Sequence, residues 1–179
     1  MNFEQVNLHL DAYKKNDQIL DAAEYILRSF DLNNEYFEGF GFRNDEHPNS
    51  IVVTTEGNFN ELQKIMIPRN LFNFDLNIVL NLLAHEMLHV RQKTLQPVVE
   101  DKNEREWQAY YEMLFHKNFP QIPDAPDFNR KQFAEKAFEY YKRMGEGSEL
   151  QLKYATQKKE VEKLYEEILI LRGEKKTEE

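Results

Sequence analysis

The run from Leu76 to Lys93 constrains this chain most, because Leu76, Val79, Leu80, Leu83, Met87 and Leu88 recur at the spacing of a helix with one strongly apolar side. Asp75 stands just before the run and can cap it, so the spacing predicts a helix over 76–93. Near its far end lie His85, Glu86 and His89. A rise of about 1.5 Å and a turn of about 100° per residue put positions i and i+4 one above the other. The two imidazoles can therefore reach one ion. Glu86 is rotated away from that point and falls beside a water on the ion, where it could take a proton as general base and later return it.

Catalytic zinc takes three protein ligands and leaves a fourth position to water, so a third donor must come from elsewhere. Beyond a loop containing Pro97 lies Glu104-Arg105-Glu106-Trp107-Gln108-Ala109-Tyr110, which reads as the start of a second helix capped by Asn103. The combination of H-E-x-x-H, a loop and a helix carrying E-x-x-A resembles the gluzincin metallopeptidases over roughly residues 50 to 117. That resemblance implies a zinc peptidase hydrolysing amide bonds in a peptide or protein substrate, with His85, His89 and Glu106 as ligands and Glu86 as base. Glu104 is the rival ligand, since it fits a looser E-x-E-x-x-A reading of the same segment. The two glutamates lie about 200° apart around a helix, so only one can face the metal. Ala109 favours Glu106, because a small residue on nearly the same face would let the two helices approach.

The chain departs from the commonest gluzincin pattern at Tyr110, where many relatives have an aspartate that hydrogen-bonds the first zinc-binding histidine. Tyrosine can donate or accept there but brings no charge. Tyr110, Tyr111 and His116 are the candidates for outer-shell support or for steadying an oxyanion, with plain packing as the competing reading. Arg91 and Gln92 read as a solvated helix end.

Composition narrows the classes. With 179 residues, 41% of them hydrophobic, the chain can bury one domain's core. It has no cysteine, so histidine and carboxylate must do any metal binding, and a reducing compartment fits. A net charge of −9 argues against a nucleic-acid partner. It also argues against the zinc proteases that repair DNA-protein crosslinks, which use a third histidine; the next one here is His116. No basic, apolar leader opens the chain and no run reaches the roughly 18 apolar residues of a span, so no membrane partner and a cytoplasmic location are expected, with a phage virion as the other setting.

The expected fold is α+β and, by the resemblance, zincin-like: a small antiparallel sheet packed on the metal-binding helix, with additional helices around it. Residues 1–146 form the expected metallopeptidase domain. In it, Phe3, Val6, Leu10 and Tyr13 suggest a short helix, and Asn16 or Asp17 can cap a second with Ile19, Leu20, Ala23, Ile26, Leu27 and Phe30 inward. Residues 33–50, rich in glycine, asparagine and aromatics, read as one strand and a loop, with His47 exposed. Residues 51–55 and 62–67 read as a hairpin around Gly57-Asn58, and by the resemblance Lys64 to Ile67 is the edge that an extended substrate would join. Asp127 can cap a later helix with Phe133, Ala137, Tyr140, Tyr141 and Met144 inward.

Residues 147–173 form a long C-terminal heptad helix whose seam is Leu150, Tyr154, Gln157, Val161, Leu164, Ile168 and Leu171. Such a seam can pair with another copy, dock on a partner protein or fold back on the body. Residues 174–179 read as a disordered tail. The seam leaves a second class of function open, an assembly or virion component that uses a zincin fold without catalysis. Glu86 speaks for the enzyme, because a structural metal site has no need of it.

Overall fold

Residues 3–44 and 50–174 are described by the structure, a computed structural model; His47 and the tail from 175 lie outside the described residues. Glu174, expected to open a disordered tail, faces Lys131 at 2.6 Å and Arg172 at 2.6 Å.

The described chain is mixed α+β, with seven helices and one three-stranded sheet. Helices α1 (Phe3–Lys15) and α2 (Ile19–Ser29) pack together through Val6, Leu10, Ala22, Ala23 and Ile26. Neither Asn16 nor Asp17 caps α2, which starts after Gln18 without a side-chain cap. The link is so short that both residues are used to close α1 instead. Asn16 Nδ2 donates to the Ala12 carbonyl at 2.9 Å, and Asp17 takes the left-handed conformation that Asx residues tolerate, at φ 55°.

Strands β1 (Phe37–Phe42), β2 (Thr54–Glu56) and β3 (Gln63–Ile67) lie in the order β1-β3-β2. The expected hairpin is present, with Thr55 opposite Ile65, and its connection turns at Gly57, whose φ of 137° suits glycine. The sheet as a whole is not antiparallel, because β1 runs parallel to β3. β3, the last strand in sequence, lies between the other two in the sheet. β3 is therefore the central strand, with Gln63, Ile65 and Ile67 buried at every second position, and it is not the substrate edge the resemblance implied. That edge is β2.

Helix α3 (Leu76–Thr94) packs on β2 and is capped by Asp75, whose side chain accepts from the Asn77 amide. Its second half is buried nearly all round, because the sheet covers one side and α4 (Lys102–Phe115) another. The cap of α4 is Asp101, which accepts from the Glu104 amide at 2.8 Å; Asn103 already lies in the first turn and reaches toward the Arg143 carbonyl. Helix α5 (Asp127–Arg143) packs on α4, with Asp127 as its first residue after Pro126 rather than its cap.

The expected single C-terminal helix is two, α6 (Glu149–Lys153) and α7 (Ala155–Leu171), broken at Tyr154, whose φ of −102° and ψ of 10° leave the helix. The break turns the Tyr154 side chain into α4. The heptad seam serves the chain's own body: Tyr154, Val161 and Ile168 are buried, the first two in one apolar cluster with Trp107, Tyr111, Phe133 and Ala137. The other half of the seam, Leu150, Gln157 and Leu164, is half-buried, and Leu171 is exposed. Because Ile168 is 1% exposed, Ile168→Ala is expected to lower stability by about 2–5 kcal/mol. Denaturant unfolding measures this, and a change near zero would show α7 undocked in solution. Among the described residues no helix is long and apolar enough to cross a membrane.

Candidate metal centre

His85 and His89 project from one face of α3 with their Nε2 atoms 3.1 Å apart and their rings nearly perpendicular, at 89°. Across from them stands α4, and Ala109, fully buried, sits on the face that approaches α3. Glu106 extends from this helix over both rings. Its Oε2 lies 3.6 Å from His85 Nε2 and its Oε1 3.8 Å from His89 Nε2. A tetrahedral ion bound at about 2.0–2.1 Å keeps its ligand atoms roughly 3.3–3.4 Å apart; the two imidazoles are close to that spacing, and each faces a different oxygen of Glu106 at a slightly longer distance. Glu104 faces the other way, with Oε1 2.7 Å from Lys153 Nζ and 2.6 Å from the Tyr154 hydroxyl.

Each imidazole has its second nitrogen engaged. His89 Nδ1 lies 2.7 Å from Gln92 Oε1, which can only accept, so the proton belongs on Nδ1 and Nε2 presents its lone pair to the cluster. His85 Nδ1 lies 3.2 Å from the Met113 sulfur, a weak acceptor, which favours the same arrangement. Two lone pairs and a carboxylate thus converge in a buried place, a combination that favours a cation. The donors are nitrogen and oxygen with no thiolate, which suits zinc and other divalent ions of the first row.

Glu86 is the second carboxylate within reach, since its ligand atom and those of His85 and His89 lie within 4.8 Å of one another. The choice between the two carboxylates follows from their surroundings. Burial pushes the Glu86 carboxyl above the usual glutamate value, against the opposing pull of His85 and of the Thr55 hydroxyl, which donates to Oε2 at 2.8 Å. Burial also works against the Glu106 carboxylate, but its hydrogen-bonding contact with His85 and the closeness of the two imidazoles outweigh it and hold its pKa below the usual value. Burial and the neighbouring His85 drive the His89 imidazole far below its ordinary pKa, which keeps it neutral. Metal ligands must be deprotonated, so Glu106 suits the ligand and Glu86 the group that exchanges a proton.

The cluster opens into a cleft of about 980 Å³ lined on one side by residues 51–55 of the sheet edge and on the other by Tyr110, Phe133 and Tyr140. Tyr110 packs its ring edgewise on His85 at 4.9 Å and stacks on Tyr140 at 5.7 Å. Burial raises the pKa of both phenols, so both remain donors at neutral pH. Tyr111 and His116 are not in this lining: the Tyr111 hydroxyl bonds Glu160 on α7, and His116 closes α4 in the left-handed conformation, 3.6 Å from Asp124. Gln92 is buried, not a solvated end, while Arg91 lies over the Phe119 ring at 4.4 Å. Thr55, Gln92, Met113 and Tyr140 therefore join a site that spacing alone assigned to histidines and glutamates. The comparisons add no relative: no family model, curated protein or solved structure matches the chain.

Proposed function

We propose that this chain is a zinc-dependent peptidase of the gluzincin type, with His85, His89 and Glu106 holding the metal and Glu86 acting as general base. The observation that carries the reading is the meeting of two imidazole Nε2 atoms and one carboxylate whose pKa is lowered, 3.1–3.8 Å apart, beside a second carboxyl whose pKa burial has raised. When bound there, zinc supplies an acidified water and a Lewis acid for the scissile carbonyl.

The remaining work falls to the chain. Glu86, held in place by the Thr55 hydroxyl, takes the proton of the attacking water and delivers it to the leaving nitrogen. Tyr110 and Tyr140 face the cleft as protonated donors for the developing oxyanion. An extended peptide would pair by main-chain hydrogen bonds with the edge strand β2, displacing Lys93 Nζ, which takes the carbonyls of Thr55 and Gly57 at 3.2 Å each. Such pairing is indifferent to side chains, so the substrate is an unfolded or extended segment of protein.

Metal analysis with a peptide panel tests this. The purified chain is expected to hold about one zinc per molecule, to lose peptide turnover on chelation and to regain it when zinc is restored. A chain that neither retains nor binds a divalent metal would end the reading.

A further inference from the structure

We propose that Glu104, the glutamate that turns away from the histidines, acts on His89 through a one-way series of hydrogen bonds running His89, Gln92, Gln108, Tyr154, Glu104. This rests on the reading of His85, His89 and Glu106 as metal ligands, and it makes the α6–α7 junction part of the metal centre.

The direction of the series follows from one backbone carbonyl. Gln92 Nε2 lies 3.0 Å from the oxygen of Arg105, which can only accept, so the atom facing it must be the NH₂ group. That fixes the amide with Oε1 toward His89 Nδ1 at 2.7 Å. The same NH₂ group donates to Gln108 Oε1 at 2.9 Å, which turns the Gln108 NH₂ outward to the Tyr154 oxygen at 2.5 Å. Having accepted there, Tyr154 sends its own hydrogen to Glu104 Oε1 at 2.6 Å, and Lys153 Nζ, 2.7 Å from the same oxygen, closes the series. Every donor points away from His89 and toward an anion.

The surroundings preserve this polarity. Gln92 is 2%, Tyr154 6% and Glu104 8% exposed, so water screens little of the path except at the half-buried Gln108. Hydrogen bonds arranged head to tail polarise one another, and the series increases electron density at His89 Nε2 while locking its tautomer. A metal-binding histidine ordinarily hands its second N–H to a nearby carboxylate or carbonyl; here the carboxylate stands three groups further out. Gln108, Tyr154 and Glu104 are positioning residues. Tyr154 is also the break between α6 and α7, so docking of the C-terminal helices sets where its hydroxyl lies.

Cobalt(II) titration of the full chain, followed by its absorption spectrum, tests the proposal in wild type, Tyr154→Phe, Glu104→Gln and the double variant. Both single variants keep side-chain shape. Each is expected to weaken cobalt binding by about 10- to 100-fold in chains that circular dichroism shows folded. The double variant is expected to bind no more weakly than Tyr154→Phe, because the charge acts only through the hydroxyl. Nitrogen-15 NMR of the metal-free chain is expected to give His89 as the Nδ1–H tautomer in wild type and in Tyr154→Phe alike, because the Arg105 carbonyl holds Gln92 in both. Wild type that takes up no cobalt would defeat the metal-ligand reading itself. Wild type that binds while either folded variant matches it, additive losses in the double variant, or an Nε2–H tautomer at His89 would overturn the relay. If Tyr154→Phe did not fold, Glu104→Gln and the wild-type tautomer would decide.

Discussion

Glu86→Gln is expected to leave the chain folded and zinc-loaded while peptide turnover falls by roughly 10²- to 10⁴-fold, the usual contribution of a positioned proton acceptor. Glutamine keeps the length of the side chain and an oxygen that can accept from Thr55 Oγ1, so the local geometry at the junction of β2 and α3 should persist. What it loses is the ability to take a proton. Burial has already disfavoured the charged form of Glu86, so removing that charge costs the fold little. Metal content by mass spectrometry beside single-turnover cleavage of a fluorogenic peptide separates the outcomes. Equal turnover by both chains would remove Glu86 from the mechanism, and loss of zinc along with turnover would make it a ligand.

The helices were legible where the signal is local. Asp75 ahead of an apolar run marked α3 to within one residue at its C-terminal end, because cap and period act within a few positions. Local chemistry misled where two capping side chains lay close together: Asp101 wins over Asn103, and Asn16 and Asp17 serve the end of one helix instead of the start of the next. The parallel pairing of β1 with β3 was beyond reach, since no residue in either strand encodes which neighbour it will find. The seam of α7 shows a further limit. A 4-3 spacing specifies that one face must be covered, but not by what, and here α4 and α5 cover it.

The site divides along the same line. His85 and His89 are one helical turn apart, so their convergence is a matter of period alone. Thr55 reaches Glu86 across 31 positions and Met113 reaches His85 across 28, contacts that exist only once the sheet and α4 have packed on α3. Gln92 is intermediate. Its place one turn beyond the histidine pair was visible, but its burial, which converts a polar helix end into the hydrogen-bond partner of His89, depends on α4 lying over it.

The choice between Glu104 and Glu106, which sequence narrowed only through Ala109, leads to the other large effect. Glu106→Ala is expected to cost more zinc affinity than the roughly 10- to 100-fold lost with an outer-shell partner, because it deletes one of the three proposed ligands. The chain itself should tolerate the change, for Glu106 is a half-buried side chain whose removal relieves burial of a carboxylate. Glu104→Ala is expected to show the reverse balance. It strips the partner from the Tyr154 hydroxyl and from Lys153 at the α4–α6 contact, so stability falls by about 1–3 kcal/mol while zinc binding weakens only within the outer-shell range. Isothermal titration with zinc and denaturant melts of the metal-free chains read the two quantities separately. Intact affinity in Glu106→Ala with abolished affinity in Glu104→Ala would require α4 to be rotated by half a turn from the packing described, carrying Tyr110 away from His85 and Trp107 out of its cluster with Tyr154 and Val161.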